Sequence, residues 1–164
     1  MLSAKVYINN DQNKVKIPTG VKMLVRRCCN AVLSHVSLAQ KAEVSISFID
    51  DADIQRLNST YRNIDRPTDV LSFPMSTDGK YEINAETGNI VLGDIVISVE
   101  RAAEQANAYS RTLFYELAHL TVHSMFHLLG YDHEKGGVES AEMKEQEMLI
   151  MEKMGLSLNS SFIV

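Results

Sequence analysis

The string HSMFHLLGYDH, residues 123–133, constrains this chain more than any other segment. Its pattern is H-x-x-x-H-x-x-G-x-x-H, with His123, His127 and His133 at the histidine positions. Residues four apart share one face of an α-helix and lie about 6 Å apart along its axis, so imidazoles at 123 and 127 can converge on one ion. Gly130 can take a positive φ, end the helix and turn the chain so that His133 reaches the same ion. Three neutral imidazoles with a fourth position open describe a catalytic zinc rather than a structural one. Imidazole also suits nickel, copper and iron, so the spacing predicts one divalent metal per chain, zinc first.

His119 offers a second i, i+4 pair with His123. It cannot easily join the other two, because eight residues of helix amount to about 12 Å of rise and roughly 80° of rotation. The pair nearer the turn is the better geometric choice. His119 then packs in the core or supports the site through a hydrogen bond. The same spacing occurs in H-E-x-x-H-x-x-G-x-x-H proteases, where the Glu after the first His is the base that activates water. Ser124 stands at that position here, so the chain keeps the metal cradle without the protease's base.

At 164 residues the expectation is one domain with a full core. No apolar run reaches a membrane span; the longest candidate, around 113–129, carries Glu116 and three histidines. The N-terminus lacks the basic-then-apolar layout of a signal peptide. Cys28 and Cys29 are adjacent and read as thiols of a reducing, cytoplasmic compartment. A net charge of -5 argues against chain-wide attraction to nucleic acid, leaving the cluster Arg56, Arg62 and Arg66 as the best candidate for a local basic cleft.

Hydrophobic periodicity predicts strands at 5–8, 43–49, 70–73 and 90–99. It predicts helices from Pro18 to about His35, from an Asp50 or Asp51 cap to about Tyr61, over 98–108, 111–129 and 138–154. The polar stretch 75–89 reads as a loop, and 155–164 is the candidate for a disordered tail. This order gives an α+β fold, a sheet of about four strands packed on helices. The histidine helix has almost no charged face and should be central.

The strings YRNIDRPTDVLSFP (61–74), LGDIVIS (92–98) and HSMFHLLGYDH (123–133) together resemble the YbeY-type bacterial endoribonucleases, also called rRNA maturation factors. The match runs from about 43 to 154. The family pattern for the last block is HGxLHLxGYDH, from which this chain departs at Ser124 and Phe126, neither of them a ligand. The resemblance implies a zincin-like α+β fold and a zinc-dependent, single-strand-specific ribonuclease of the bacterial cytoplasm. It implies single-stranded RNA as substrate, action at the 3′ end of small-subunit ribosomal RNA and in ribosome quality control, and ribosome-associated factors as partners. The three histidines carry over as His123, His127 and His133, and the family's functional arginine falls on Arg62. Asp69 is a possible base or orienting group, or equally a strand-start hydrogen-bonding residue. Two other functions stay in view: another zinc hydrolase, a peptidase or amidase sharing the cradle, and a non-enzymatic ribosome partner with a structural metal.

Overall fold

The computed structural model describes residues 4–131 and 137–156, with the backbone alone at 137–140. Among the described residues six strands form one mixed sheet: β1 (Lys5–Asn10), β2 (Ala42–Ile49), β3 (Val70–Pro74), β4 (Ser76–Thr77), β5 (Lys80–Ile83) and β6 (Ile90–Ser98). Five helices accompany them: α1 (Val21–His35), α2 (Asp51–Arg62), α3 (Val99–Ala108), α4 (Leu113–Leu128) and α5 (Gly137–Lys153). β1, β2 and β6 run parallel, while β3 and β5 lie antiparallel along the other side of β6.

The sheet therefore has six strands where about four were expected. The added pair, β4 and β5, is a hairpin inside the predicted loop, with Thr77 opposite Lys80. Its turn is Asp78-Gly79, both at positive φ (53° and 77°), the conformation that matches the twist of a two-residue hairpin. The polar composition of 75–89 hid a two-residue turn signal.

β6 is buried along nearly its whole length because helices cover both faces of the sheet. On one face Ile46, Phe48, Ile95 and Ile97 pack in the main cluster with α1 and α4. On the other, Ile54 of α2 closes over Ile49, Leu71 and Val96. Asp50 caps α2 by accepting from the Asp53 N–H at 2.9 Å, so the helix starts where the sequence places it. A register shift between Glu43 and Val44 sets Val44 opposite Gly93, leaving Leu92 without an opposite residue in β2. Gly93 itself sits at φ +139°, and a Cβ there would meet the Phe73 carbonyl oxygen at 2.1 Å. Only glycine lets β3 come this close.

α4 is the central helix. It packs against α1, α3, α5, β3 and β6, and ten of its sixteen residues are buried. Thr112 caps its start, accepting from the Tyr115 N–H at 3.0 Å. At its end Gly130 takes φ +95°, the Tyr131 N–H donates to the Phe126 carbonyl and the Gly130 N–H to that of His127, each at 3.0 Å. That paired closure satisfies the last carbonyls and turns the chain away from the helix axis. Leu156, after α5, is still buried in the core; residues 157–164 lie outside the described residues.

Candidate active site

α4 presents His123 and His127 on one face, four residues apart, into a cleft of about 770 Å³. Their Nε2 atoms are 3.1 Å apart and their rings are nearly perpendicular, 77° between planes. Nitrogens bound to one zinc at about 2.0–2.1 Å are themselves roughly 3–3.5 Å apart, so the pair has the separation of two ligands of one ion. His133 and the residues around it lie outside the described residues. Among the described residues no group of three His, Cys, Asp or Glu side chains is arranged to hold a metal. The histidine pair fits such an ion as two of its ligands.

His123 is held from behind. Its Nδ1 lies 2.5 Å from Oε1 of Glu147, which comes from α5 and is 4% exposed. His119 Nε2 approaches the other carboxylate oxygen at 3.9 Å, an ionic distance rather than a hydrogen bond, and its ring stacks on Tyr115. Burial pushes the Glu147 carboxyl up, but the pull of the His119 and His123 rings beside it outweighs burial and holds the group at about 2. Glu147 was not singled out from the sequence. The available signal was its place in a row of buried positions on α5, Met143, Glu147, Ile150 and Met151, where a carboxylate needs a partner.

The opposite wall of the cleft is built by the end of α2, the 63–69 connection and β3. Asn63 takes a left-handed conformation (φ 58°) and ends α2. Buried Asn58 then ties the connection down, its Nδ2 donating to the Arg66 carbonyl at 2.9 Å. Arg62, the last residue of α2, lines the cleft with the two histidines, and its Nη2 donates to the Ser72 carbonyl of β3 at 3.0 Å. It thus reaches across to the strand rather than back to its own helix. Arg66 lines the same cleft. Arg56, the third member of the basic cluster, instead pairs with Asp53 one turn before it in α2 and is not part of this wall.

Asp69 also faces the cleft, yet its oxygens are engaged: Oδ1 accepts from the Val70 N–H at 2.8 Å and Oδ2 from Gln105 at 3.3 Å. Ser124 is fully buried, does not line the cleft, and its hydroxyl has no hydrogen-bond partner among the described residues.

The exposed edge of β3 runs along this cleft. The Ser98 N–H bonds to the Asp69 carbonyl and the Met75 N–H to that of Leu92, so odd-numbered residues of β3 pair with β6 and even-numbered ones point outward. Of the outward groups, the Val70 N–H is taken by Asp69, the Ser72 carbonyl by Arg62, and Pro74 has no N–H. Three of the six outward main-chain positions on this edge are thus taken or missing.

Residues 7–155 match the family described as Endoribonuclease YbeY. The chain belongs to that family. It is 45% identical to the endoribonuclease YbeY of Caldanaerobacter subterraneus subsp. tengcongensis, over 92% of this chain and 98% of the relative. It is 36% identical to that of Clostridium botulinum strain Hall, over 96% and 97%. In fold it is similar to the solution structure of TM1509 from Thermotoga maritima, with a TM-score of 0.58 at 23% identity, covering 97% of this chain and 96% of that one. The resemblance found in the three sequence blocks thus extends over nearly the whole chain.

Proposed function

We propose that this YbeY-family chain acts as one catalytic domain that cleaves single-stranded RNA in ribosomal RNA maturation. A divalent metal, zinc first, is held by His123, His127 and His133, and Arg62 binds the scissile phosphate. The carrying observation is that Arg62 and the converging histidine pair line one cleft. The fold around the cradle is taken as zincin-like, with β3 as the strand beside the histidine helix. When bound, the metal supplies a Lewis acid that polarises a phosphate oxygen or activates the attacking hydroxyl.

The rest is work for this chain's own side chains. A guanidinium carries five donors in a planar fork. One is tied to the Ser72 carbonyl, which aims the plane, and the remaining donors suit a phosphate's two non-bridging oxygens. Arg62 and Arg66 give this cleft a local positive character that the net charge of -5 conceals. Asp69, committed to the start of β3, supports the wall.

The edge of β3 argues against the peptidase alternative. A peptidase that holds its substrate as an added strand needs open N–H and C=O groups along that edge, and here Asp69, Arg62 and Pro74 occupy or remove three of the six. The buried free thiols of Cys28 and Cys29 suit the cytoplasm, and no helix among the described residues is long and apolar enough to cross a membrane. Ribosome-associated factors are the expected partners.

The test pairs metal analysis with cleavage. Purified chain should carry one equivalent of divalent metal and cut single-stranded RNA in a chelator-sensitive way while leaving casein intact. His123→Ala, His127→Ala and His133→Ala should each lose most of the metal. Retention of metal in His133→Ala with loss in His119→Ala would overturn the ligand set.

A further inference from the structure

We infer that Glu147 is the positioning residue of the metal cradle, holding His123 in the one tautomer that can bind an ion. The inference rests on the metal reading above. A neutral imidazole carries its proton on one nitrogen and offers the lone pair of the other. His123 uses its two nitrogens in different directions: Nδ1 meets the Glu147 carboxylate at 2.5 Å, and Nε2 meets the His127 Nε2 at 3.1 Å in the cleft. A carboxylate only accepts, so it selects the form with the proton on Nδ1 and leaves the Nε2 lone pair directed at the cleft. The same contact raises the ligand's basicity and stops the ring from rotating about its χ angles.

Glu147 cannot be a ligand or a general base itself. It is 4% exposed and does not line the cleft, and His123 stands between its carboxylate and the cleft. It acts through His123. It also has a place in the chain that makes it suited to this role. α5 begins just after the segment that carries His133, and Glu147 joins α5 to α4, the helix that carries His123 and His127. One buried carboxylate thus ties the two helices between which the third histidine is strung.

A merely structural account competes with this: a buried acid that pins α5 to α4 and would lower stability when lost. The two accounts differ in what they do to the folded protein. The experiment uses the full chain, wild type, Glu147→Gln and Glu147→Leu, each stripped of metal. The dissociation constant for zinc alone is measured against a chromogenic chelator, and the His123 ring ¹⁵N shifts are read in the metal-free state. Wild type should show the Nδ1–H form of His123. Glu147→Leu should weaken zinc binding ten- to a hundredfold and give His123 a mixture of tautomers. Glu147→Gln keeps an acceptor of the same shape without the charge, so it should retain the tautomer and bind zinc less tightly than wild type by at least about threefold, short of the Leu effect. Wild-type zinc affinity in folded Glu147→Gln would overturn the inference, as would an unchanged tautomer in folded Glu147→Leu. If Glu147→Leu does not fold, the Gln variant decides alone. Failure of wild type itself to take up stoichiometric zinc would instead overturn the metal reading and remove the basis of this one.

Discussion

Replacing Gly93 by alanine tests whether the cleft wall depends on a backbone contact. The new Cβ would sit 2.1 Å from the Phe73 carbonyl oxygen, 3.0 Å from its carbon and 3.1 Å from Leu128 Cδ2. Carbon–oxygen contacts settle at about 3.3–3.6 Å, so β3 must move away from β6 by about 1 Å or the bulge must rearrange. The obstacle is main chain, which no rotamer change can clear. Overpacking of this kind costs about 1–3 kcal/mol, and a non-glycine residue at φ +139° adds about 1–3 more. The smaller unfolded-state entropy of alanine offsets less than about 1 kcal/mol of this. The net loss is roughly 3 kcal/mol, which lowers Tm by about 6–12 °C for a domain of this size. Thermal denaturation followed by circular dichroism reads it directly. Because β3 carries the Ser72 carbonyl that Arg62 grips, RNA cleavage below the melting range should also fall. Gly79→Ala is the control: φ there is +77° but nothing lies within 4 Å of the new Cβ. It should cost only the left-handed strain of about 1–2 kcal/mol and leave cleavage intact. A Gly93→Ala protein that melts no lower than Gly79→Ala would refute the argument.

Three further outcomes follow from the same structure. Arg62→Ala should reduce RNA cleavage a hundredfold or more, which is about 2.7 kcal/mol of transition-state stabilisation, while metal content stays normal; Arg62→Lys should rescue poorly, since it keeps the charge but not the fork, and wild-type turnover in Arg62→Ala would remove this residue from the site. Ser124→Ala removes a buried hydroxyl that has no partner among the described residues, so chemical denaturation should show stability unchanged or raised by up to about 1 kcal/mol with cleavage intact; lost activity at normal metal content would assign Ser124 a chemical role. Burial pushes the Cys28 thiol up to about 12 and the Cys29 thiol well above the ordinary range, and because only the thiolate reacts, both should resist thiol reagents at pH 8 in the native protein and react once denaturant returns them to the ordinary range; rapid native labelling would contradict the packing of α1.

The parts of this molecule that were legible in the sequence are those encoded over short spans. His123 and His127 share a face because four residues make about one turn, and Gly130 ends α4 because its φ of +95° suits glycine. Asp50 before Asp53 was readable as a cap for the same reason. The β4–β5 hairpin was equally local, since Asp78-Gly79 announces a two-residue turn, but the polarity of its flanks outweighed that signal. β4 spans only Ser76–Thr77, and its residues are exposed, so no alternation of apolar side chains marked it.

The partners that complete the site belong to a different class. Arg62 and Ser72 are joined across the gap between a helix end and a strand edge, and Glu147 meets His123 from 24 positions away. No periodicity encodes such pairs. What the sequence does carry is the anomaly each one leaves behind: a glutamate among the apolar positions of α5, an aspartate at the mouth of β3, a proline where the strand edge would otherwise offer an N–H. Each is costly or disfavoured in isolation, because a buried carboxylate needs donors and a strand without an N–H pairs poorly. A residue that breaks the local rule of its own element is therefore evidence of a long-range partner before that partner can be named. In this chain the identity of the partner depends on how α5 docks on α4 and how β3 docks on β6, and Gly93 controls the second of these through a single missing Cβ.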